Sequence, residues 1–406
     1  MKNIVVQKYG GTSVGTTEKI KNVAERILSF KAKGKNLVVI VSAMGDSTDE
    51  LIKLAKEITP NPSGREYDAL ISTGEAVSAS LVAMALKQKG QEAVSLSGRQ
   101  AGVHTEDMHG KARILDVKPT RILEELKAGK IVIITGFQGV NSFDDTTTIG
   151  RGGSDTSAVV IAAALKAELC EIYTDVDGVY TTNPNLIKDA RKLDVIAYDE
   201  MLEFASLGAG VLHPRAVEVA KAYGIEIHVR SSFNYNEGTI VKEVLKMEIK
   251  NPVTGVAYDE NTAKIAILGL SDEPGVAGNL FTQLADSKVN VDMIVQSNQV
   301  NQKNDIAFTV SLDDFHKAKE ITEALAKKVK AEKVVYDQEV AKVSIVGVGM
   351  VSSPGVAARM FSMLGEKGIN IDLISTSEIK VSCIIDRKLT AEAVKILHSG
   401  FDLAKK

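Results

Sequence analysis

The sequence predicts an α/β fold with a mostly parallel sheet between helices, followed by two small α+β modules. Three observations support this fold class. At 406 residues the chain is too long for one ordinary hydrophobic core. Up to about residue 250, short apolar segments alternate with helical patterns, which is typical of a parallel sheet covered by helices on both faces. Beyond that point the sequence repeats itself with a constant offset of 80 residues.

The alternating part begins with a strand, a glycine turn and a helix. Residues 4–6 form a short apolar run, and apolar side chains then recur on one helix face between residues 20 and 28. Further strands are predicted at residues 37–41, 93–96, 131–135, 171–174 and 226–229, with helices at 68–87 and 156–166. Sheets of this kind bind ligands beyond the carboxyl ends of their strands. We therefore expect the chemistry to lie in the segments that follow these strands.

The first such segment, KYGGTSVG at residues 8–15, has the features of a phosphate-binding turn. Gly10 and Gly11 allow backbone N–H groups to approach a ligand. A helix N-terminus next to Lys8 also favours a phosphate. The P-loop motif is excluded because Thr16 stands where that motif needs its lysine, and the order of glycines does not fit the dinucleotide fingerprint. A solvated lysine on an ordinary strand–helix turn remains the alternative.

A second glycine-rich segment, GRGGSDTS at residues 150–157, precedes an apolar helix. Ser154 is a candidate cap for that helix. Glycines beside Arg151 at a helix start suit a carboxylate or a phosphate, because the guanidinium group can bind either through two parallel hydrogen bonds. The alternative is a capped helix with a surface arginine.

Three shorter segments add candidates. SAMGDSTD at residues 42–49 leaves a strand and enters a helix. STGE at residues 72–75 places Glu75 in an apolar helical stretch, where a buried carboxylate would need a partner, although a surface position is equally open. YTDVDGVY at residues 173–180 follows a strand and is also compatible with a hairpin-like turn.

Composition limits the class of protein. The chain is 44% hydrophobic and 25% charged, as in soluble globular proteins, and its net charge of −3 gives no electrostatic case for binding nucleic acid or an anionic membrane. Cys170 and Cys383 each stand in an apolar run, which predicts buried thiols in a reducing compartment. The apolar run after Lys2 is too short for a signal peptide, and the run at 158–165 is too short to cross a bilayer. We therefore expect a cytoplasmic protein.

The repeated tail contains two copies of one pattern. PGVA at residues 274–277 recurs at 354–357, and five further residues recur at the same offset: Phe281, Leu284, Asn290, Asp292 and Ile294. Each copy reads as strand, helix opened by Pro-Gly, strand, strand and helix, and a proline in the first helical turn costs no hydrogen bond. Two structural units without a ligand are the alternative.

The closing strand of the second copy is missing from the repeat. The first copy ends on a strand-like segment at 333–336, whose counterpart would lie beyond residue 406. Meanwhile residues 253–258 are spare strand-like sequence before the first copy. Because proteins avoid an unpaired sheet edge, we expect 253–258 to complete the second copy, so that the first copy is inserted within it.

In family order, the five segments resemble the signatures of the aspartokinases, a branch of the amino-acid kinase family. The tail resembles a pair of ACT domains, which are ferredoxin-like modules that bind amino acids at their interfaces. Together these resemblances cover nearly the whole chain. They imply a catalytic domain at residues 1–248, a linker with a donated strand at 249–262, and ACT domains at 263–337 and 338–406.

By this resemblance the protein transfers the γ-phosphoryl group of ATP to the side-chain carboxylate of L-aspartate, for lysine, threonine and methionine synthesis. A carboxylate is already ionised near pH 7, so the reaction needs alignment and neutralisation of charge rather than a general base. The implied catalytic residues are Lys8 and Asp155, with Lys8 at the γ-phosphate and Asp155 fixing it. The ATP is expected to bring Mg²⁺, held mainly by phosphates and water, so no metal ligands are assigned.

The resemblance also implies the binding residues. The substrate-binding set is Ser42, Thr48, Glu75, Arg151, Gly152 and Ser154, with Arg151 on an aspartate carboxylate and Glu75 on its ammonium. The ATP-binding set is Lys8, Gly10, Gly11, Ser13, Thr174, Asp175, Tyr180, Asn183 and Asn185. The effector-binding set for lysine or threonine is Asp272, Gly275, Ala277, Asp292, Gln296, Asn370, Ile371, Thr376 and Ser377. A homo-oligomer through the ACT domains is implied, and a separate regulatory subunit started at Met247 stays open.

Two departures from the family pattern affect the nucleotide region. Gly210 stands before VLHPR, where the family usually has a lysine, and Asn185 stands where it often has an arginine. They motivate an alternative, an amino-acid sensor with a catalytically weak kinase domain. A dinucleotide-dependent dehydrogenase is a further alternative that rests on the alternating sheet alone. His213 is expected to pack at a helix start rather than to act in catalysis.

Overall fold

The computed structural model describes residues 3–208, 210–244, 251–271, 273–297 and 303–404. It forms two compact units. The first unit comprises Met1–Val179, Lys192–Ser206 and Gly210–Leu245, and the second comprises Tyr180–Arg191, Leu207–Ala209 and Lys246–Lys406.

The described elements of the first unit follow in chain order. Its helices are α1 Thr17–Lys31, α2 Ser47–Ile58, α3 Arg65–Ile71, α4 Thr73–Gln88, α5 Thr120–Lys127, α6 Gly153–Leu165, α7 Tyr198–Ser206 and α8 Pro214–Tyr223. Its strands are β1 Ile4–Tyr9, β2 Asn36–Val41, β3 Ala93–Leu96, β4 Val103–Thr105, β5 Ile114–Val117, β6 Ile131–Thr135, β7 Gln138–Val140, β8 Thr146–Thr148, β9 Leu169–Thr174, β10 Val195–Ala197, β11 Ile227–Ser231 and β12 Thr239–Lys242. A short 3₁₀ turn, Gly11–Ser13, follows β1.

The main sheet of this unit has the strand order β10-β12-β11-β9-β1-β2-β6-β3. Its pairings are parallel except the one between β11 and β12. The central strands β2 and β6 read NLVVIV and IVIIT and are almost entirely buried, as expected of strands covered on both faces. The predicted α/β class, with a mostly parallel sheet between helices, is confirmed.

A second, four-stranded sheet in this unit, of order β5-β4-β7-β8, was not predicted. Its strands are three or four residues long, too short for a period-two pattern to stand out. The sheet matters for function because β8 leads directly into the Arg151 segment.

The predicted helix at 68–87 is two helices, α3 and α4, that meet at Ser72. The hydroxyls of Ser72 and Thr73 donate to the carbonyls of Ala69 and Leu70, and such local bonds compete with a continuous helical ladder. By length and composition alone the combined stretch of 24 residues is apolar enough to cross a membrane, but half of its most apolar window is buried inside the structure. That burial is typical of a core helix.

The described elements of the second unit are β13 Gly255–Ser271, α9 Val276–Asp286, β14 Val291–Gln296, β15 Lys303–Ser311, α10 Phe315–Lys328, β16 Lys333–Val346, α11 Val356–Glu366, β17 Leu373–Thr376, β18 Lys380–Asp386 and α12 Thr390–Gly400. The strands form one sheet of order β14-β15-β13-β16-β18-β17. Its pairings are antiparallel, as the α+β modules require.

Two long strands, β13 and β16, run through both copies of the repeat. The early part of β13, Gly255 to Asp259, pairs with residues 342–346 of β16, and the later part, Lys264 to Leu268, pairs with residues 333–337. Val253 and Val256 also belong to the hydrophobic core that contains α11 and α12. The segment at 253–258 therefore lies in the sheet and core of the second copy, with the first copy between it and β16.

The segment Tyr180–Arg191 differs from the sequence-based division, which placed it in the catalytic domain. Thr181 is fully buried in the second unit, where its hydroxyl lies 2.9 Å from His398 Nε2 and donates to the Leu403 carbonyl. Ile187 and Ala190 join the same core as α12. Ile187 and Ala190 are apolar and pack in this core, and Thr181 has its hydrogen-bond partners beside it. The segment therefore groups with the second unit.

The effector candidates are spread over both copies. Gly275 precedes α9 in a left-handed conformation (φ +95°), Ala277 lies in α9, and Asp292 and Gln296 lie on β14. Asn370 and Ile371 precede β17, which Thr376 ends and Ser377 follows. Asp272 and Met247 lie outside the described residues.

Candidate active site

A cavity of about 280 Å³ lies beyond the carboxyl ends of β1 and β2, next to the N-terminus of α6. It is lined by Lys8, Gly11, Ser42, Ala43, Gly45, Thr48, Glu75, Phe137, Gly150, Arg151, Gly152, Gly153, Ser154 and Asp155. The structure thus brings together both predicted catalytic residues and all six predicted substrate-binding residues, although they come from segments far apart in the sequence. The place is the one expected for an open parallel sheet.

Lys8 and Asp155 form an ion pair inside this cavity. The Lys8 Nζ atom on β1 lies 2.6 Å from Asp155 Oδ1 in the first turn of α6, and both side chains are 12% exposed. A carboxylate at a helix N-terminus is stabilised by the helix dipole, and it fixes the lysine in turn. The pair leaves a cation held in place at the end of β1.

The glycine turn after β1 approaches the neighbouring strand end closely. A Cβ atom at Gly11 would lie 2.9 Å from the Ala43 carbonyl oxygen, so a side chain there would force the turn apart. The Gly11 carbonyl accepts a hydrogen bond from the Gly45 N–H. Gly10 lies beside Lys8, since a Cβ atom there would be 3.5 Å from Nζ. Glycine is therefore required here by close packing of two loops.

Glu75, in the first turn of α4, is only 3% exposed. Its Oε1 atom accepts a hydrogen bond from the Ala43 N–H at 3.1 Å, while Oε2 is buried with no hydrogen-bond partner among the described residues. Burial raises the pKa of this carboxyl to about 7, against the opposing effect of the backbone N–H groups. The buried alternative predicted for Glu75 is the correct one, and its free oxygen needs a donor from elsewhere.

Arg151 stands on a loop of two left-handed glycines, Gly150 (φ +86°) and Gly152 (φ +70°). Its side chain is exposed and, within the described part of the chain, makes no hydrogen bond or ion pair. A Cβ atom at Gly152 would lie 2.2 Å from the ring of His213, which precedes α8 as predicted and packs on this loop. The guanidinium group is thus available to a ligand.

One prediction about this loop is wrong. Ser154 does not cap α6, because the helix begins one residue earlier, at Gly153, and Gly152 occupies the capping position without a side chain. Ser154 lies instead within the first turn and lines the cavity.

The predicted ATP-binding residues divide into four groups. Lys8 and Gly11 line the cavity, and Gly10 lies beside it. Ser13 is buried and faces elsewhere: its hydroxyl donates to Ser232 Oγ at 2.9 Å. Thr174 ends β9 and donates to the Asp175 carboxylate. Tyr180, Asn183 and Asn185 belong to the second unit, where the Asn183 side-chain amide donates to the Tyr258 hydroxyl.

Sequence reasoning missed several residues of the site. Ala43, Gly45 and Phe137 line the cavity, and Phe137 adopts a left-handed conformation (φ +67°) that is costly for an aromatic residue. The sequence carried no signal for Phe137. For Ala43 and Gly45, their place inside the SAMGDSTD segment was a usable signal.

Comparison with known proteins identifies the family of the chain. The model of the amino acid kinase family matches residues 3–231, and that of the ACT domain matches residues 265–325 and 343–401. The chain is 50% identical over 402 residues to an aspartokinase of Geobacillus stearothermophilus, covering 99% of this chain and 98% of the relative. It is equally 50% identical over 402 residues to aspartokinase 2 of Bacillus subtilis (strain 168), with the same coverage.

Solved structures agree as well. E. coli aspartokinase III in complex with aspartate and ADP, in the R-state, is 26% identical and superposes with a TM-score of 0.82, covering 98% of this chain and 99% of that one. The same enzyme with lysine and aspartate, in the T-state, is 25% identical with a TM-score of 0.76, covering 98% of this chain and 100% of that one.

A kinase fold of the amino acid kinase type, followed by paired ACT domains, is thus established for this protein. Within that class, the chain belongs to the aspartokinases. It is accordingly an enzyme of the aspartate kinase class with regulatory ACT domains, and the dehydrogenase alternative falls away.

Proposed function

We propose that the cavity holds L-aspartate against the γ-phosphate of ATP, and that the enzyme transfers this phosphoryl group to the aspartate side-chain carboxylate to give 4-phospho-L-aspartate. The observation that carries the proposal is the convergence of Lys8, Glu75 and Arg151 on one cavity. Their charges complement an amino acid with two carboxylates and one ammonium that lies next to a phosphate.

Each charge has a distinct role in this proposal. Arg151, exposed and without a partner in the described structure, binds a carboxylate of aspartate through two hydrogen bonds. The unpaired Oε2 of Glu75 accepts from the substrate ammonium. Ser42, Thr48, Gly152 and Ser154 complete the contacts to aspartate. These groups place the nucleophilic oxygen, which is already ionised at neutral pH.

Lys8 neutralises charge on the γ-phosphate during transfer. Asp155 keeps the Lys8 ammonium in one position, so little reorganisation is needed in the transition state. The N–H groups of Gly10 and Gly11 lie beside it for the phosphate oxygens. By family resemblance, the proposed contacts to the rest of ATP are Thr174, Asp175, Tyr180, Asn183 and Asn185. Ser13 stays a proposed ATP contact, and its hydroxyl donates to Ser232 Oγ in this structure.

Mg²⁺ accompanies ATP in this proposal. Among the described residues there is no group of three or more His, Cys, Asp or Glu side chains arranged to hold a metal ion. We infer that the ion is bound mainly by phosphate oxygens and water, and that it supplies further neutralisation of phosphate charge.

Regulation follows from the tail. We infer that lysine, threonine or both inhibit the enzyme by binding at the ACT domains, that the chain assembles into a homo-oligomer through them, and that it acts in the cytoplasm in lysine, threonine and methionine synthesis. Aspartokinase III of E. coli has been solved with lysine bound, which supports an amino-acid effector. The pairing of β13 with β16 supports the proposed donated strand, whereas Tyr180–Arg191 groups with the second unit rather than with the catalytic domain.

The test compares two substitutions with opposite kinetic signatures. Lys8→Ala should lower kcat by roughly a hundredfold or more with little change in the KM for aspartate, because its charge acts in the transition state. Arg151→Ala should raise the KM for aspartate roughly tenfold to a hundredfold, the value of a hydrogen bond to a charged group. Lys35→Ala and Arg99→Ala are matched controls, since both residues make exposed ion pairs elsewhere in the first unit.

Steady-state rates of ADP release with varied aspartate and varied ATP separate these effects. A normal kcat in Lys8→Ala, or a change confined to the KM for ATP in Arg151→Ala, would show that the roles are assigned wrongly. The sensor alternative predicts no aspartate-dependent ADP release from the unmodified protein.

A further inference from the structure

Asp68, on α3, is a carboxylate with no exposed surface that does not line the active-site cavity. It accepts hydrogen bonds from His109 Nδ1 at 2.9 Å and from the Gly110 N–H at 3.0 Å. It also accepts from the Thr148 N–H at 2.9 Å and from the Thr148 hydroxyl at 2.7 Å. Both carboxylate oxygens are therefore saturated by two separate segments of chain.

Both segments border the Arg151 loop. Thr148 ends β8 three residues before Arg151, and its carbonyl accepts from the Ala112 N–H at 2.9 Å. Gly110 contacts the loop from the other side, since a Cβ atom at Gly150 would lie 3.2 Å from the Gly110 carbonyl oxygen. Asp68 thus links, through hydrogen bonds, the two backbone segments at Gly110 and Thr148 that border the Arg151 loop.

Arg215 makes a second connection at the same place. Its guanidinium group donates to the Ile149 carbonyl at 2.8 Å and to the Ala112 carbonyl at 3.1 Å. Ile149 precedes Gly150, so this bond fixes the backbone immediately before the loop. Asp68 holds the chain at Thr148 and Gly110, and Arg215 holds it one or two residues further along.

The loop itself cannot supply this order. Gly150 and Gly152 have wide conformational freedom, and the side chain of Arg151 makes no hydrogen bond or ion pair in the described structure. Fixing such a backbone costs conformational entropy, which neighbouring contacts must offset. A buried carboxylate is costly unless it is fully hydrogen-bonded, and here every bond goes to a segment that borders the loop.

We propose that Asp68 and Arg215 are positioning residues that orient Arg151 toward the aspartate carboxylate. The inference rests on the proposed role of Arg151 and extends it. The affinity for the dicarboxylate substrate then depends on the hydrogen bonds of Asp68 and Arg215, which lie outside the cavity. Neither residue touches the substrate, so the effect of each must pass through Arg151.

The decisive measurement is a double-mutant cycle on the full-length enzyme. Asp68→Asn keeps the shape but replaces an acceptor oxygen by a donor, so one of the bonds to Gly110 or Thr148 is lost. We expect the KM for aspartate to rise roughly tenfold, with kcat and the KM for ATP nearly unchanged. Combined with Arg151→Ala, Asp68→Asn should add nothing further. Asp107→Asn is the matched control, because the hydrogen bonds that Asp107 accepts come from the Ser142 N–H and hydroxyl and not from Gly110 or Thr148.

Several results would overturn the inference. An unchanged KM for aspartate in Asp68→Asn would do so, as would an effect of equal size in the Arg151→Ala background, which would indicate a general structural role. If Arg151→Ala itself leaves the KM for aspartate unchanged, the proposed function of Arg151 is wrong instead.

A milder pair of variants covers the case in which Asp68→Asn does not fold. Thr148→Val removes only the hydroxyl donor to Asp68, and Thr148→Ser retains it. We expect Thr148→Val to raise the KM for aspartate by roughly threefold to tenfold, in line with the loss of one hydrogen bond, and Thr148→Ser to restore it. An equal KM for aspartate in the two variants would contradict the positioning role of Asp68.

Discussion

Burial affects the pKa of Glu75 more strongly than its hydrogen bond does. The carboxyl accepts one bond from the Ala43 N–H, yet removal from water raises its pKa to about 7. In the free enzyme the Glu75 carboxyl therefore changes charge near neutral pH. A bound substrate ammonium would favour its ionised form.

We expect the KM for aspartate to fall as the pH rises from about 6 to about 8, because only ionised Glu75 attracts the substrate ammonium. Glu75→Gln should have a higher KM throughout and no such pH dependence. The KM for aspartate is measured across this range at saturating ATP. Because ATP titrates in the same way in both assays, Glu75→Gln serves as the control. An identical pH profile in the two proteins would show that Glu75 does not cause the effect.

The same shift makes a stability prediction of known sign. The pKa of Glu75 is raised in the folded state, so between its ordinary value near 4.5 and about 7 the folded protein binds more protons than the unfolded one. The contribution of this group to the free energy of unfolding should therefore decrease as the pH rises through that window. Denaturant unfolding of the free enzyme and of Glu75→Gln at pH 5 and pH 8 measures it, and an equal pH dependence in the two proteins would refute it.

At the scale of single elements, Tyr180–Arg191 is anchored in the core of the second unit. The same segment contains three of the proposed ATP contacts. Thr181 is the anchor: besides its contacts with His398 and Leu403, its hydroxyl accepts from the Arg191 N–H at 3.0 Å.

Thr181→Val should destabilise the second unit by about 1–3 kcal/mol, because it leaves buried polar groups without partners. If Asn183 and Asn185 contact ATP, the KM for ATP should rise as well. Thr182→Val is the matched control: Thr182 is also buried, but its hydroxyl has no hydrogen-bond partner among the described residues. Equal unfolding free energies for the two variants would show that the Thr181 bonds contribute nothing.

Prediction from sequence succeeded where the information was local. The glycine turn at residues 8–15 and the Arg151 loop carry their geometry in glycines, and the main strands are continuous apolar runs. The four-stranded sheet was missed because its strands are very short, and the division of α3 from α4 depends on two hydroxyls. The proposed roles of Asp68 and Arg215 could not be predicted, since their hydrogen-bond partners lie 41 to 103 positions away in the sequence.

At the scale of the whole molecule, the two copies of the repeat are joined by reciprocal ion pairs. Asp292 on β14 of the first copy lies 2.5 Å from Lys342 on β16, while Asp372 of the second copy pairs with Lys264 on β13. Lys342 is 4% exposed, so its pair with Asp292 is screened less than a surface pair. Asp292 is also a proposed effector residue, which places a candidate contact on this junction.

Thr376→Ile should weaken inhibition by lysine or threonine while leaving basal activity intact. Thr376 is exposed at the end of β17, so the larger side chain can be accommodated without disturbing a core. Inhibition curves for each amino acid alone and for both together test this. Thr59→Ile, at an exposed position after α2, is the control, and superimposable curves for the Thr376 variant and the unmodified enzyme would remove this residue from the effector site.

The shared strands β13 and β16 determine how the tail can be divided. A piece of chain that begins after Asp259 lacks the strand that pairs with residues 342–346, and a piece that ends before β16 lacks the strand that pairs with residues 264–268. The smallest contiguous piece that contains a complete second copy therefore also contains the whole first copy. A gene fusion can carry this tail as one block, but a cut between residues 337 and 338 leaves the second copy without the strand that pairs with residues 342–346.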